Sequence, residues 1–115
     1  LFIKISMITT VVGRIVECLP QQKGVGKNGY EWVAQQFIIA VNDDPEDILC
    51  FQVFSEERLL SYDLKVGKRV AVTLDICTRE YNGKWLTNIS CKHCWVAPKW
   101  IEKEKELTSN EFDYN

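Results

Sequence analysis

Apolar and polar residues alternate along most of this chain with the period of two expected of half-buried β-strands. Over residues 30–41, Val33, Phe37, Ile39 and Val41 fall on one side, and Tyr30, Trp32, Gln36 and Ile38 on the other. Over 48–54, Leu49, Phe51 and Val53 share a face. From residue 70 onward, Val70, Val72, Leu74 and Ile76 oppose Ala71, Thr73, Asp75, Cys77, Arg79 and Tyr81. Residues 8–19 are rich in β-branched side chains, with Gly13 as a bulge or coil point and Pro20 as the terminator. A last strand runs from residue 84 to about 96, ahead of Pro98.

Turn chemistry separates these runs. Asn82-Gly83 predicts a two-residue type I′ hairpin, which needs φ > 0 at both central positions. Residues 42–47 form a turn whose four acids are expected to face solvent, and 21–29 form a loop with three glycines. Ser55 is placed to cap a short helix ending near Tyr62, with Glu56 and Glu57 in its first turn, where the helix dipole favours negative charge. Tyr30, Val33, Ala34, Phe37 and Val41 also fit a helical period, but β-branched and aromatic content and the downstream hairpin favour strand.

The order β-β-β-α-β-β is that of an OB-fold, an all-β, five-stranded Greek-key barrel with one short helix. In that fold a groove crosses the second and third strands, walled by the loop after the first strand and the loop after the fourth. Those loops are residues 21–29 and 80–84 here. The expected division is a domain over 1–101, with 1–7 as an N-terminal extension and Met7 as an internal start, followed by an acidic tail over 102–115.

Charge sharpens this division. The net charge is −2, but residues 102–115 hold five acids and two lysines, or −3. Residues 1–101 therefore carry +1, and a local positive groove is compatible with the total. At 115 residues the chain is expected to be a single domain. No apolar run approaches the roughly 18 residues of a membrane span, and 1–6 is too short for a signal peptide, so a cytoplasmic protein is expected. Five cysteines do not suit a complete disulfide framework, and Cys18, Cys50 and Cys77 read as small sheet or core residues. In Cys91-Lys92-His93-Cys94 a continuous strand points the two thiols to opposite sides, and no second cysteine pair exists, so no metal is expected.

The chemistry concentrates at 78–85, where Arg79, Lys84, Tyr81 and Trp85 crowd one hairpin tip. Flat aromatics beside cations suit single-stranded nucleic acid, whose bases stack while its phosphates pair with lysine and arginine. Trp32, sharing a face with Tyr30 and Gln36, is either a stacking platform or a barrel-end or dimer-interface residue. Trp85 has the parity of inward positions and needs a bulge or twist to be exposed. Lys23 and Lys27 in the other loop complete the bracket, and Arg14 is a further candidate. Phe51 and Phe54 are assigned to the core, and Trp95 and Trp100 to the barrel end or a subunit contact.

Gly24-Val25-Gly26-Lys27-Asn28-Gly29 matches G-x-G-x-x-G, but no strand closes directly on its first glycine and a strand is favoured after it. Its glycines are assigned to loop flexibility, and no cofactor is expected. A single histidine, with no nucleophile paired to it in any motif, gives no catalytic constellation, so no enzyme is expected.

Leu64-Lys65-Val66-Gly67-Lys68-Arg69-Val70-Ala71-Val72, followed by Thr78-Arg79, Tyr81, Gly83, Trp85 and Thr87, resembles the latter half of bacterial and phage single-stranded-DNA-binding proteins. Trp32 and Phe54 fit their middle strands. Gly13-Arg14-Ile15, residues 32–36, Cys50-Phe51-Gln52-Val53-Phe54 and residues 79–85 are similar to a compact bacterial family of single-domain OB proteins, largely uncharacterised. The resemblance covers about residues 8–95. It implies an OB-fold and single-strand binding, in replication, recombination or repair, by a homo-oligomer; the residues show no sequence readout, so binding largely without sequence preference is expected. The same chemistry allows RNA, and an OB module for protein interaction is the alternative from another class. Bacterial relatives dock partner proteins through an acidic tail with a terminal Phe; this tail has Phe112 and Tyr114 but ends in Asn115.

Overall fold

The computed structural model describes residues 5–97. It contains β1 (Ile5–Cys18), β2 (Gln22–Val25), β3 (Glu31–Val41), β4 (Ile48–Phe54), α1 (Glu56–Tyr62), β5 (Arg69–Tyr81) and β6 (Lys84–Val96). The expected strands and helix are all present, and β1 starts three residues before the alternating pattern does. The expected acidic tail, Trp100, Pro98 and residues 1–4 lie outside the described residues. No helix among those described is long and apolar enough to cross a membrane.

The strands order as β1-β5-β6-β4-β3-β2, and β1 pairs with β3 as well, which closes the barrel. Closure depends on β1 changing neighbours partway along. Its first part pairs with β5, from Ile5↔Thr78 to Arg14↔Arg69, and its second with β3, from Gly13↔Val41 to Cys18↔Phe37. At the crossing a Cβ on Gly13 would overlap the carbonyl oxygen of Ala40 and stand 2.9 Å from its carbon. Glycine is therefore what lets the two backbones meet there. The register slips between Ile15 and Glu17, so the bulge lies just beyond Gly13.

Inside lie Ile15, Phe37, Ile39, Phe51, Val53, Val70, Val72 and Leu74, largely the side chains that the alternation assigns inward. Phe37 and Phe51 are cross-strand partners whose ring centroids stand 5.9 Å apart. Helix α1 adds one buried residue, Leu59. Ser55 begins the helix with its backbone alone: its carbonyl accepts the Leu59 N–H at 3.0 Å, while its side chain makes no capping bond.

Four sequence expectations are corrected. Residues 22–25 are not loop but a short strand paired with β3, so the segment before β3 is a hairpin arm. Phe54 is not core: it is 48% exposed, whereas Phe51 is buried. Cys91 and Cys94 do not face opposite sides, because Thr73 pairs with His93 while Leu74 pairs with Cys91, leaving Lys92 as the extra residue of a bulge. Both thiols join the core, where burial pushes them up from 9.0 to about 11 and about 12. Asp43 does not simply face solvent; its carboxylate lies 3.1 Å from the Arg69 Nε and 3.8 Å from the Arg14 Nε.

Candidate nucleic-acid interface

Because Phe37, Ile39, Phe51 and Val53 point inward, the residues between them on β3 and β4 point out. Gln36 pairs with Gln52, and Gln52 pairs with Ser90 of β6, a parallel bridge that gives this outward face a polar midpoint. From that row the face runs in two directions. One way lie Ala34, itself buried, with the exposed Phe54 as its register partner, and then Trp32, which is 43% exposed. The other way lie Cys50 and Ile48 on β4, and Asn88, Leu86 and Lys84 along β6.

Trp32 is four residues from Gln36, and Lys84 is six residues from Ser90 in the opposite sense. Ten strand steps correspond to roughly 30 Å along the sheet. The two hairpins expected to wall a groove thus stand at opposite ends of one face.

The β5–β6 hairpin closes as its turn residues dictate, with φ of 51° at Asn82 and 79° at Gly83 and with Tyr81 paired to Lys84. Arg79, Tyr81, Lys84 and Leu86 share the face of Ser90, whereas Glu80 and Trp85 oppose each other on the reverse. Trp85 is 64% exposed without any bulge between it and Ile89, because among the described residues β6 pairs only with β5 from there to the tip. Its exposure is real, but it faces away from Tyr81, which is 66% exposed.

The β2–β3 hairpin forms the other end. Gly26 N–H donates to the Tyr30 carbonyl at 2.8 Å, and Gly29 N–H to the Gly26 carbonyl at 3.0 Å, leaving Lys27 and Tyr30 exposed at the tip. Gly24 lies opposite Trp32. Lys23 lies opposite Val33 on the reverse of this ribbon, where it lines a shallow depression with Glu31 and Glu56. Arg14 donates to the Gly67 carbonyl at 3.1 Å and shares Asp43 with Arg69, so its charge is already engaged.

The structure therefore brings Trp32, Gln36, Arg79, Tyr81 and Lys84 onto one face, with Lys27 and Tyr30 at its margin. It does not bring Lys23, Trp85 or Arg14 there. The sequence reading missed Phe54, Gln52, Cys50 and Leu86, all outward on that face. For Phe54 the signal was available, since strict alternation from Leu49, Phe51 and Val53 turns residue 54 outward. No three His, Cys, Asp or Glu side chains converge as a metal site among the described residues.

Comparison with solved structures places this architecture. The chain superposes on the second OB-fold domain of replication protein A from Methanococcus maripaludis with a TM-score of 0.57 at 17% identity, covering 78% of this chain and 83% of that one. It superposes on Rim1, a mitochondrial single-stranded DNA binding protein from S. cerevisiae, with a TM-score of 0.52 at 14% identity, covering 78% and 94%. At these identities the likeness establishes the fold, which is an OB-fold with β2 added as an arm. No curated protein matches the sequence. Residues 10–95 match the family described as Domain of unknown function (DUF3127), and the chain belongs to that family.

Proposed function

We propose that this protein binds single-stranded DNA, largely without sequence preference, along the outward face of β3, β4 and β6. One observation carries the reading: exposed aromatics and cations, Trp32 at one end and Tyr81 with Arg79 and Lys84 at the other, share a face whose middle is Gln36, Gln52 and Ser90. Aromatics take bases, amides and hydroxyls take sugars or base edges, and the cations take phosphates. Single-strand binding by OB proteins of like fold supports the reading, and protection of single strands during replication, recombination or repair is the corresponding role. A polythymidine oligonucleotide is expected to quench tryptophan emission, and a duplex of the same length to do so far less. Equal response to polyuridine would move the assignment to RNA as well as DNA; a stronger response to duplex would contradict it.

Self-assembly is part of the proposal. Ile5-Ser6-Met7-Ile8-Thr9-Thr10-Val11 pairs with β5 on one side only among the described residues, and it holds no charge and no proline. Such an edge is a template for another strand, and a second copy of β1 fits it. Light scattering is expected to give a mass above one 13.3 kDa chain, and a monomer at micromolar concentration would contradict this.

A further inference from the structure

The G-x-G-x-x-G segment leads through a hairpin into strand β3 and not into a helix, yet its first glycine has a specific neighbour. Gly24 and Trp32 are cross-strand partners, and the indole lies across the glycine backbone. A Cβ on Gly24 would overlap Cζ2 of Trp32, stand 2.5 Å from its Cε2 and stand 2.8 Å from its Nε1. Gly26, two residues on, has open space instead: a Cβ there would meet only the Tyr30 carbonyl oxygen, at 3.7 Å. Loop flexibility therefore does not explain Gly24, which sits in a strand with ordinary φ and against a ring.

We propose that Gly24 is a positioning residue for Trp32: its bare backbone is the seat that holds the indole flat on the β2–β3 ribbon and leaves the ring's other side open to a base. An aromatic ring laid over a cross-strand glycine is a recurring sheet device. Its effect here is preorganisation. A tryptophan already fixed in its stacking orientation loses little freedom when a base arrives. A methyl group at residue 24 lifts or swings the ring without touching its chemistry.

This inference rests on the nucleic-acid reading for its functional half, and the two are tested separately. The seat is tested without ligand. In the NMR spectrum of the wild-type protein, one Gly24 Hα proton is expected to be shifted upfield by the indole ring current, and Trp32→Ala to abolish that shift. An unshifted Gly24 Hα overturns the seat whether or not the protein binds DNA. The functional half is tested with a polythymidine oligonucleotide. Gly24→Ala is expected to weaken binding about tenfold, within the range for losing one stacked base. Gly26→Ala is expected to bind like wild type. In a Trp32→Ala background, Gly24→Ala is expected to cost nothing further. Undiminished binding by folded Gly24→Ala, or an equal loss with Trp32 already absent, overturns the positioning role. If the wild-type protein binds no oligonucleotide, the nucleic-acid reading and the functional half fall together, and the ring-current shift still decides the seat.

Discussion

The double substitution Trp32→Ala, Tyr81→Ala is expected to weaken binding of a long polythymidine by about 4 kcal/mol, roughly a thousandfold in Kd. Each ring contributes on the order of 1–3 kcal/mol when it stacks on a base. The two stand roughly 30 Å apart along the sheet and share no partner, so their losses should add. An oligonucleotide too short to span the face should feel only one of the two substitutions at a time. Tyr81 is exposed, so removing it should leave the melting temperature nearly unchanged. Trp85→Ala is the informative comparison. Trp85 is as exposed as Tyr81 and sits in the same hairpin, but it faces the reverse side. The account expects Trp85→Ala to bind DNA nearly as well as wild type. If Trp85→Ala cost as much as Tyr81→Ala, the single-face assignment would be wrong.

Gly13→Ala is expected to be the most damaging single methyl in the barrel. The added carbon is driven into the Ala40 carbonyl, which is backbone held in the β3 ladder and not the yielding end of a flexible side chain. Overpacking against atoms that cannot move costs about 3 kcal/mol, enough to lower the melting temperature of a domain this size by roughly 15 °C. The physical consequence is specific to closure, because β1 must pass from β5 to β3 at this residue. Thermal unfolding followed by circular dichroism reads the effect, with Gly26→Ala as the control at a glycine that has room for a methyl group. A melting temperature for Gly13→Ala within about 3 °C of wild type would show that the strands do not approach this closely.

The parts of the fold legible in the sequence are those governed by strict alternation and by turn residues. Phe51, Val70, Val72 and Leu74 are inward because polar or small neighbours on either side leave no other arrangement. Asn82-Gly83 closes its hairpin because both residues tolerate positive φ. What escaped the sequence is set by pairing between distant segments. Residues 22–25 hold a glycine and too few side chains to alternate, and they become a strand only because β3 offers an edge. The bulge at Lys92 is a mismatch between β5 and β6, which neither strand shows alone, and it alone turns Cys91 and Cys94 to the same side.

The candidate site divides in the same way. Tyr81 and Arg79 were readable as outward from parity along one strand. The Trp32 seat was not, because it depends on which loop glycine comes to lie opposite the indole. Arg14 and Lys23 are candidates by charge and by their place in the strand order. The structure gives Arg14 an acidic partner, Asp43, and turns Lys23 to the reverse side of the arm, neither of which composition reveals.

The central claim, single-strand binding on one aromatic and cationic face, is tested most directly by titrating the protein with polythymidine while following tryptophan emission at several salt concentrations. The account expects saturable quenching that weakens as salt rises. With Arg79, Lys84 and Lys27 each neutralising one phosphate, log K should fall against log[salt] with a slope of roughly −2, or about −0.7 per phosphate. No quenching and no binding at low salt, with the protein folded, would contradict the claim outright.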